Sequence, residues 1–423
     1  MAGAAEKSNG GEDGGQHTFA VKTNSSVYNA VAKILRGLPG WTETSSSQFC
    51  DLLLGERWDM PWPLLAAEPQ GRRPGAVNHV RGTRQVTVKG LMRKSLADAT
   101  AHGPQQDYNE NRDVFVPQTF LVVPRAPGAE QTADCEREAF TAAARDGGAV
   151  WVCKPTAGCH GSGIRLFRDP TAALEYVDGH FVPRDSPAGS EHGRTDSDSS
   201  GAPRPPAKPW LARRRAKPQA AWLAQRCVDP PMLIDGRKFD IRAVGAIADD
   251  LSVWFYGEYI LRMCSEPYDG SDIDCPFRNI SNHCIQVESE NYGKGEEGNE
   301  RFSASLREAL ARQHGPEEGA RIAADIERQM EAAVLGCVGA CRGYLSRRGS
   351  ERQYGCVQIL GMDFIIDSGY KVWLLEANGS PAVAERMLPD FARDVVGTLL
   401  RPMVEGAPAR TGHFRCIQPA PDS

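Results

Sequence analysis

The sequence predicts an α/β protein built of several lobes, and three observations carry that prediction. The 423 residues are 41% hydrophobic and 24% charged, enough apolar material for a sizeable core divided among two or three domains. Short β-branched and aromatic runs recur along the chain and give way to one long helical pattern. A single stretch, 183–219, breaks the composition with Pro205-Pro206, Asp196-Ser-Asp-Ser-Ser200 and Arg213-Arg-Arg-Ala-Lys217. So polar a segment cannot offset its ordering entropy, and it is expected to be a disordered insertion.

The same composition excludes several classes. The net charge is −5, whereas general nucleic-acid binding needs a basic footprint, so no nucleic-acid partner is expected. No run reaches the roughly 20 apolar residues of a membrane span. The Gly-rich, acidic start has no apolar h-region, which points to a flexible tail rather than a targeting segment. The 12 cysteines form no Cys-x-x-Cys pair, and Cys153, Cys227 and Cys356 lie in apolar runs. A reducing, cytoplasmic compartment is expected.

In chain order, 149–153 reads as a buried strand, followed by a Gly-rich turn and a second strand at 164–167. Residues 221–225 are another strand candidate. Lys238-Phe-Asp-Ile-Arg-Ala243 alternates polar and apolar with period two, as a strand with one covered face does. Residues 251–263 are strand-like throughout, with Glu258 and Arg262 on one face. A helix is expected over 317–345, since Ile322, Ile326, Val334, Val338 and Cys341 recur at helical spacing. Strands at 357–366 and 371–376 close on Asp367-Ser-Gly-Tyr370 as a hairpin.

Three of these elements carry chemistry. In Lys154-Pro-Thr-Ala-Gly-Cys-His-Gly-Ser-Gly163, Gly158, Gly161 and Gly163 let the backbone approach a bulky anion, and Lys154 supplies a charge. Strand pleating puts Lys238, Asp240 and Arg242 on one face and Phe239 and Ile241 on the other. In the hairpin, a turn centred on Ser368-Gly369 sets Asp363 opposite Leu374 and diagonal to Glu376. Parity then groups Asp363, Glu376 and Asn378, an all-oxygen set suited to magnesium held against substrate phosphates. Together these elements are the arrangement of an ATP-grasp ligase, in which two α+β lobes close on Mg-ATP.

Longer motifs carry a family resemblance. Lys238-Phe-Asp-Ile-Arg242, Ser265-Glu-Pro-Tyr268, Ser281-Asn-His-Cys-Ile-Gln286, Gly295-Glu-Glu-Gly-Asn-Glu300 and Asp363-Phe…Glu376-Ala-Asn-Gly-Ser-Pro381 resemble the tubulin–tyrosine ligase family. Leu54-Gly-Glu-Arg57, Val77-Asn-His-Val-Arg-Gly82 and Arg93-Lys-Ser-Leu96 are more similar to its tyrosine-adding member than to its glutamylating and glycylating relatives. The resemblance implies a tail (1–18), an N-terminal α/β domain (19–90), a central ATP-grasp domain (91–225), a C-terminal ATP-grasp domain (226–405) and a tail (406–423).

It also implies ATP-dependent ligation of free L-tyrosine to the C-terminal glutamate of detyrosinated α-tubulin, through an acyl phosphate. The same resemblance holds a polyglutamylase or glycylase as the alternative, and a non-catalytic tubulin-binding module as a second. Position by position, Lys94, Lys154 and Lys238 would contact ATP phosphates, with Gly161, Gly163 and Ile164 in the Gly-rich element. Gln225, Arg226, Cys227 and Val228 would form the adenine hinge, and Asp240 would hold the ribose. Arg242 would face the transferring phosphate and Arg262 the amino acid. Asp363, Glu376 and Asn378 would bind Mg2+, with Glu376 also placed to orient the amine. His160, Ser162, Arg226-Cys227 and Ala377 depart from the family pattern without removing a charged or metal-binding group.

Overall fold

The computed structural model describes residues 17–66, 74–102, 115–126, 136–145, 148–156, 163–181, 221–345 and 353–420. Most of the N-terminal tail, the Gly-rich turn including Gly161, and the 183–219 insertion lie outside them. Among the described residues the strands form three sheets. The first strands are β1 (His17–Val21), β2 (Trp41–Glu43), β3 (Leu52–Leu54) and β4 (Ala76–Val77). The central lobe holds β5 (Thr119–Val122), β6 (Trp151–Pro155), β7 (Arg165–Phe167) and β8 (Trp222–Arg226). The C-terminal part carries β9 (Leu233–Ile234), β10 (Arg237–Ile247), β11 (Val253–Tyr256), β12 (Ile260–Met263) and β13 (Glu300–Phe302). It continues through β14 (Gly355–Cys356), β15 (Gln358–Ile366), β16 (Val372–Asn378) and β17 (Phe414–Gln418).

β1 to β4 form a parallel sheet whose far edge is β14, paired with β4. The chain passes from β14 through Val357 straight into β15, so the N-terminal sheet is stitched to the C-terminal lobe. The helices Ser26–Arg36 and Leu388–Val395 share one core, through Val27, Val31, Leu35, Phe391 and Val395.

The C-terminal sheet is antiparallel and centred on β10, which pairs with β12 and then β11 on one side and with β15 on the other. Its underside presents Phe239, Ile241, Ala243, Leu261, Met263, Met362, Phe364 and Leu374, all buried. Against this packs the helix Pro316–Cys341, which buries Ile322, Ile326, Met330, Val334, Cys337, Val338 and Cys341. Burying each large aliphatic side chain stabilises the fold by about 1.5–3 kcal/mol. One face of the sheet is thereby fixed as core, and its charged residues are confined to the other.

The structure corrects four expectations. Residues 251–263 form two strands, because Gly257, Glu258 and Tyr259 make the turn between β11 and β12. Glu258 therefore lies off the strand that carries Arg262 and accepts from Ser303 Oγ at 2.8 Å. The long helix stops at Cys341, and 342–344 tighten into a 3-10 turn. The segment 406–423, expected as a tail, contains β17, which pairs with β11 and buries Phe414. Alternation over only five residues gave that strand no signal above a polar surrounding. Among the described residues no helix is long and apolar enough to cross a membrane. Cys153, Cys337, Cys341 and Cys356 are buried, whereas Cys227 is only half-buried.

A Cβ added at Gly361 would come within 2.5 Å of Pro381 Cβ and 3.4 Å of Arg242 Cδ. The Gly379–Pro381 loop thus lies directly over β15. Gly361→Ala should cost about 1–3 kcal/mol by overpacking against Pro381, read as a shift in the urea midpoint.

Candidate active site

The charged face of the C-terminal sheet is assembled by strand register. Arg242 on β10 faces Asp363 on β15, and Asp363 faces Glu376 on β16. One step along, Asp240 faces Arg262 on β12, which in turn faces Glu300 on β13. Asn378 stands opposite Gly361, on the same face as Glu376. Six charged groups and one amide therefore share one surface.

The hairpin differs from its expected register. Phe364 pairs with Leu374, but a bulge beside Asp363 consumes one residue of β16, so Asp363 meets Glu376 directly rather than diagonally. A bulge of this kind re-aims a side chain. Here it brings the two carboxylates closer than the regular ladder does.

Electrostatics lock the face. Arg242 forks onto Asp363, through Nε to Oδ1 and a second contact of 3.0 Å to Oδ2. Arg262 forks onto Asp240 with both contacts at 2.6 Å, and also reaches Asp363 Oδ2 at 3.0 Å. Burial pushes the Asp363 carboxyl up, but the guanidiniums of Arg242 and Arg262 outweigh it and hold the group well below the usual carboxylate range. For Arg262 burial acts downward, and Asp240 and Asp363 more than reverse it. Glu376 accepts from Asn378 Nδ2 at 3.1 Å and pairs with Lys89 Nζ at 2.9 Å.

Across from this face stands the central sheet. Lys154, at the end of β6, is buried and donates to Gln225 Oε1 at 2.9 Å and to Leu375 O at 3.2 Å. Burial pulls its pKa down to about 8, against the upward pull of Glu376. Val152, Ile164, Leu166, Ile365 and Leu375 line an apolar slot of about 120 Å³ between the sheets, with Cys227, Val228 and Lys238 at its wall. Lys238 Nζ lies 5.9 Å from the centre of the Tyr268 ring. Gln225, Arg226 and Asp240 border the same slot. Gly163 precedes it with φ +75°, a backbone that favours glycine.

A larger cavity, about 2060 Å³, opens beside the slot and reaches Glu56, Arg57, His79, Lys89, Glu300 and Arg386. Lys94 is exposed and borders neither cavity, whereas Lys89 borders the larger one. Five residues turn a helix by about 140° beyond a full turn, so the two lysines of helix Lys89–His102 face different ways. The resemblance selected Lys94; no sequence feature distinguished Lys89 from a solvated lysine.

The upstream motifs have structural work in this wall. Asn78 clamps Gly55, accepting from its N–H at 3.1 Å and donating to its carbonyl at 2.9 Å. His79 sits 3.0 Å from Gly55 O. Gln358 Oε1 accepts from Thr83 Oγ1 at 3.0 Å, while its Nε2 donates to Gly379 O at 2.7 Å. These bonds tie the N-terminal sheet to the loop that follows Asn378.

The donor set has the chemistry of a magnesium site. Two carboxylates on facing strands and an amide oxygen are hard ligands of the type magnesium takes. Among the described residues no three His, Cys, Asp or Glu side chains gather as a metal-binding group. The fit therefore rests on Asp363 and Glu376 with Asn378.

Comparison with known proteins identifies the family. A family model described as the tubulin–tyrosine ligase family matches residues 70–410. The chain is similar to a probable tubulin polyglutamylase of Mus musculus, 24% identical over 392 residues that cover 90% of this chain and 78% of the relative. It is similar to a tubulin polyglutamylase of Homo sapiens, 25% identical over 343 residues, 77% of this chain and 34% of the relative. A tubulin glycylase of Tetrahymena thermophila is 22% identical over 284 residues, 63% of this chain and 20% of the relative. With the family model covering well over half of its length, the chain belongs to the tubulin–tyrosine ligase family.

Proposed function

We propose that the protein is an ATP-dependent carboxylate–amine ligase that joins an amino acid, glutamate foremost, to a glutamate carboxylate of tubulin. The observation that carries the ligase reading is the single sheet face on which Asp363, Glu376, Arg242 and Arg262 meet, opposite buried Lys154. The donor is argued from the relatives, which are named as polyglutamylases and a glycylase. The segments that suggested tyrosine weigh less, because Asn78 and His79 are engaged in holding Gly55.

In this reading the apolar slot takes adenine against Val152, Leu166 and Ile365, with the 225–228 hinge alongside, and Lys154 and Lys238 face the phosphates. Gly163 and Ile164 close the slot's edge. Asp363, Glu376 and Asn378 would hold magnesium, which supplies neutralising charge to the phosphates. A carboxylate is a poor electrophile, so the acceptor is first phosphorylated, with Arg242 stabilising charge on the transferring group. Asp240 reaches ribose only if it shares its oxygens with Arg262. Arg262 spends its Nε edge on Asp240, so the donor's carboxylate meets its remaining terminal nitrogen.

Incubation with Mg-ATP, tubulin and each of glutamate, glycine and tyrosine, read by mass spectrometry of the tubulin tails, tests the donor. The expected product is a tail extended by glutamyl residues. Extension by tyrosine alone would return the donor to the one implied by the upstream motifs.

A further inference from the structure

Glu300 is the one member of the charged face whose place the ligase chemistry above leaves unexplained. It is half-buried on β13, borders the larger cavity, and stands opposite Arg262 in the β12–β13 register. Cross-strand partners hold their Cβ atoms about 4.5–5.5 Å apart, close enough for an ion pair. Yet the Arg262 guanidinium turns the other way, to Asp240 and Asp363. Among the described residues the Glu300 carboxylate has no hydrogen-bond or ion-pair partner, although its neighbour Arg301 is paired with both Glu296 and Asp235. A half-buried carboxylate without a cation is unfavourable, and this one faces the cavity.

The groups that act on it are few. Burial raises its pKa, His283 and Arg262 oppose that, and Glu385 adds to it. His283 is held 3.2 Å from the Tyr292 hydroxyl. What the position lacks is a cation, and a free α-amino acid brings an ammonium on the same carbon as its carboxylate.

We propose that Glu300 binds the α-ammonium of the donor amino acid and takes one of its protons, while Arg262 holds the donor's carboxylate. This rests on the ligase reading above. The proton passes from nitrogen to a Glu300 carboxylate oxygen. The freed electron pair forms the C–N bond at the acyl phosphate carbon, and the C–O bond to phosphate breaks with its pair going to phosphate. The second nitrogen proton leaves with that phosphate, giving the amide. Glu300 is thus a catalytic residue of the second half-reaction only.

The test compares wild type, Glu300→Gln and Glu300→Asp in two assays. With the amino acid that the wild type uses, Glu300→Gln should lower kcat/KM for the donor by roughly 10²-fold or more, through kcat as well as KM. Its acid limb in the pH profile should disappear, and Glu300→Asp should restore part of the rate. Hydroxylamine, a nucleophile that is neutral at pH 7, replaces the amino acid in the second assay. Glu300→Gln should form hydroxamate at the wild-type rate, because acyl phosphate formation does not use Glu300. An unchanged donor kcat/KM in Glu300→Gln would overturn the proposal, and so would an equal loss of hydroxamate formation. If the wild type itself made neither amide nor hydroxamate, the ligase reading would fail first, and this assignment with it.

Discussion

Glu376→Gln should reduce ligation by about 10²- to 10³-fold, the range seen when one preorganised electrostatic group is removed from a reaction centre. Glutamine keeps the shape and still takes a hydrogen bond from Asn378, but it removes the charge that faces Asp363 and pairs with Lys89. Lys89 and Glu376 remain partly exposed, with side chains 18% and 20% accessible. The lost pair should therefore cost no more than about 1 kcal/mol. Rates alongside a thermal melt separate the two effects: a large loss of turnover with an almost unchanged Tm is expected. Near-normal turnover of the folded variant would move the metal site elsewhere.

Asp363→Asn should act on stability as strongly as on turnover. Asp363 is 3% exposed and is shared by two arginines, so replacing it leaves Arg242 without its forked partner and Arg262 with Asp240 alone. Removing one member of a buried charge set costs about 3–5 kcal/mol. The pH dependence follows from the sign of the shift. The folded carboxyl titrates below its unfolded value, so its contribution is complete above the ordinary carboxylate range near pH 4. It is lost only as pH falls through the lowered folded value. Denaturant melts of wild type and Asp363→Asn should therefore differ by a constant amount from pH 5 to 8 and converge only in strong acid.

How legible was this site in the sequence? Period-two alternation in 238–243 was enough to place Asp240 and Arg242 together, because pleating alone decides which side chains share a face. The hairpin turn likewise brought Asp363 and Glu376 within reach. The bulge that sets them directly opposite was not legible, since Leu374 and Leu375 are interchangeable in pattern and only packing chooses which one drops out of the ladder. Lys89 and Glu300 were missed for a different reason. Each takes its role from a distant element, Glu376 for Lys89 and the β12–β13 register for Glu300; Glu300 ends the Gly295–Glu300 family motif, but nothing local gives either residue its role. β17 was hidden for the same cause: its strand exists because β11 offers an edge.

In the proposed reaction this face phosphorylates a carboxylate before joining it to an amine. That order can be tested by labelling the acceptor carboxylates of a tubulin-tail peptide with heavy oxygen and analysing the inorganic phosphate released during ligation. An acyl phosphate forms through a carboxylate oxygen and breaks at its C–O bond. One labelled oxygen should therefore appear in the phosphate for every amide formed, with labelled phosphate from the variant Glu376→Gln falling in step with its 10²- to 10³-fold slower ligation. Phosphate released without label, in step with amide formation, would contradict the account.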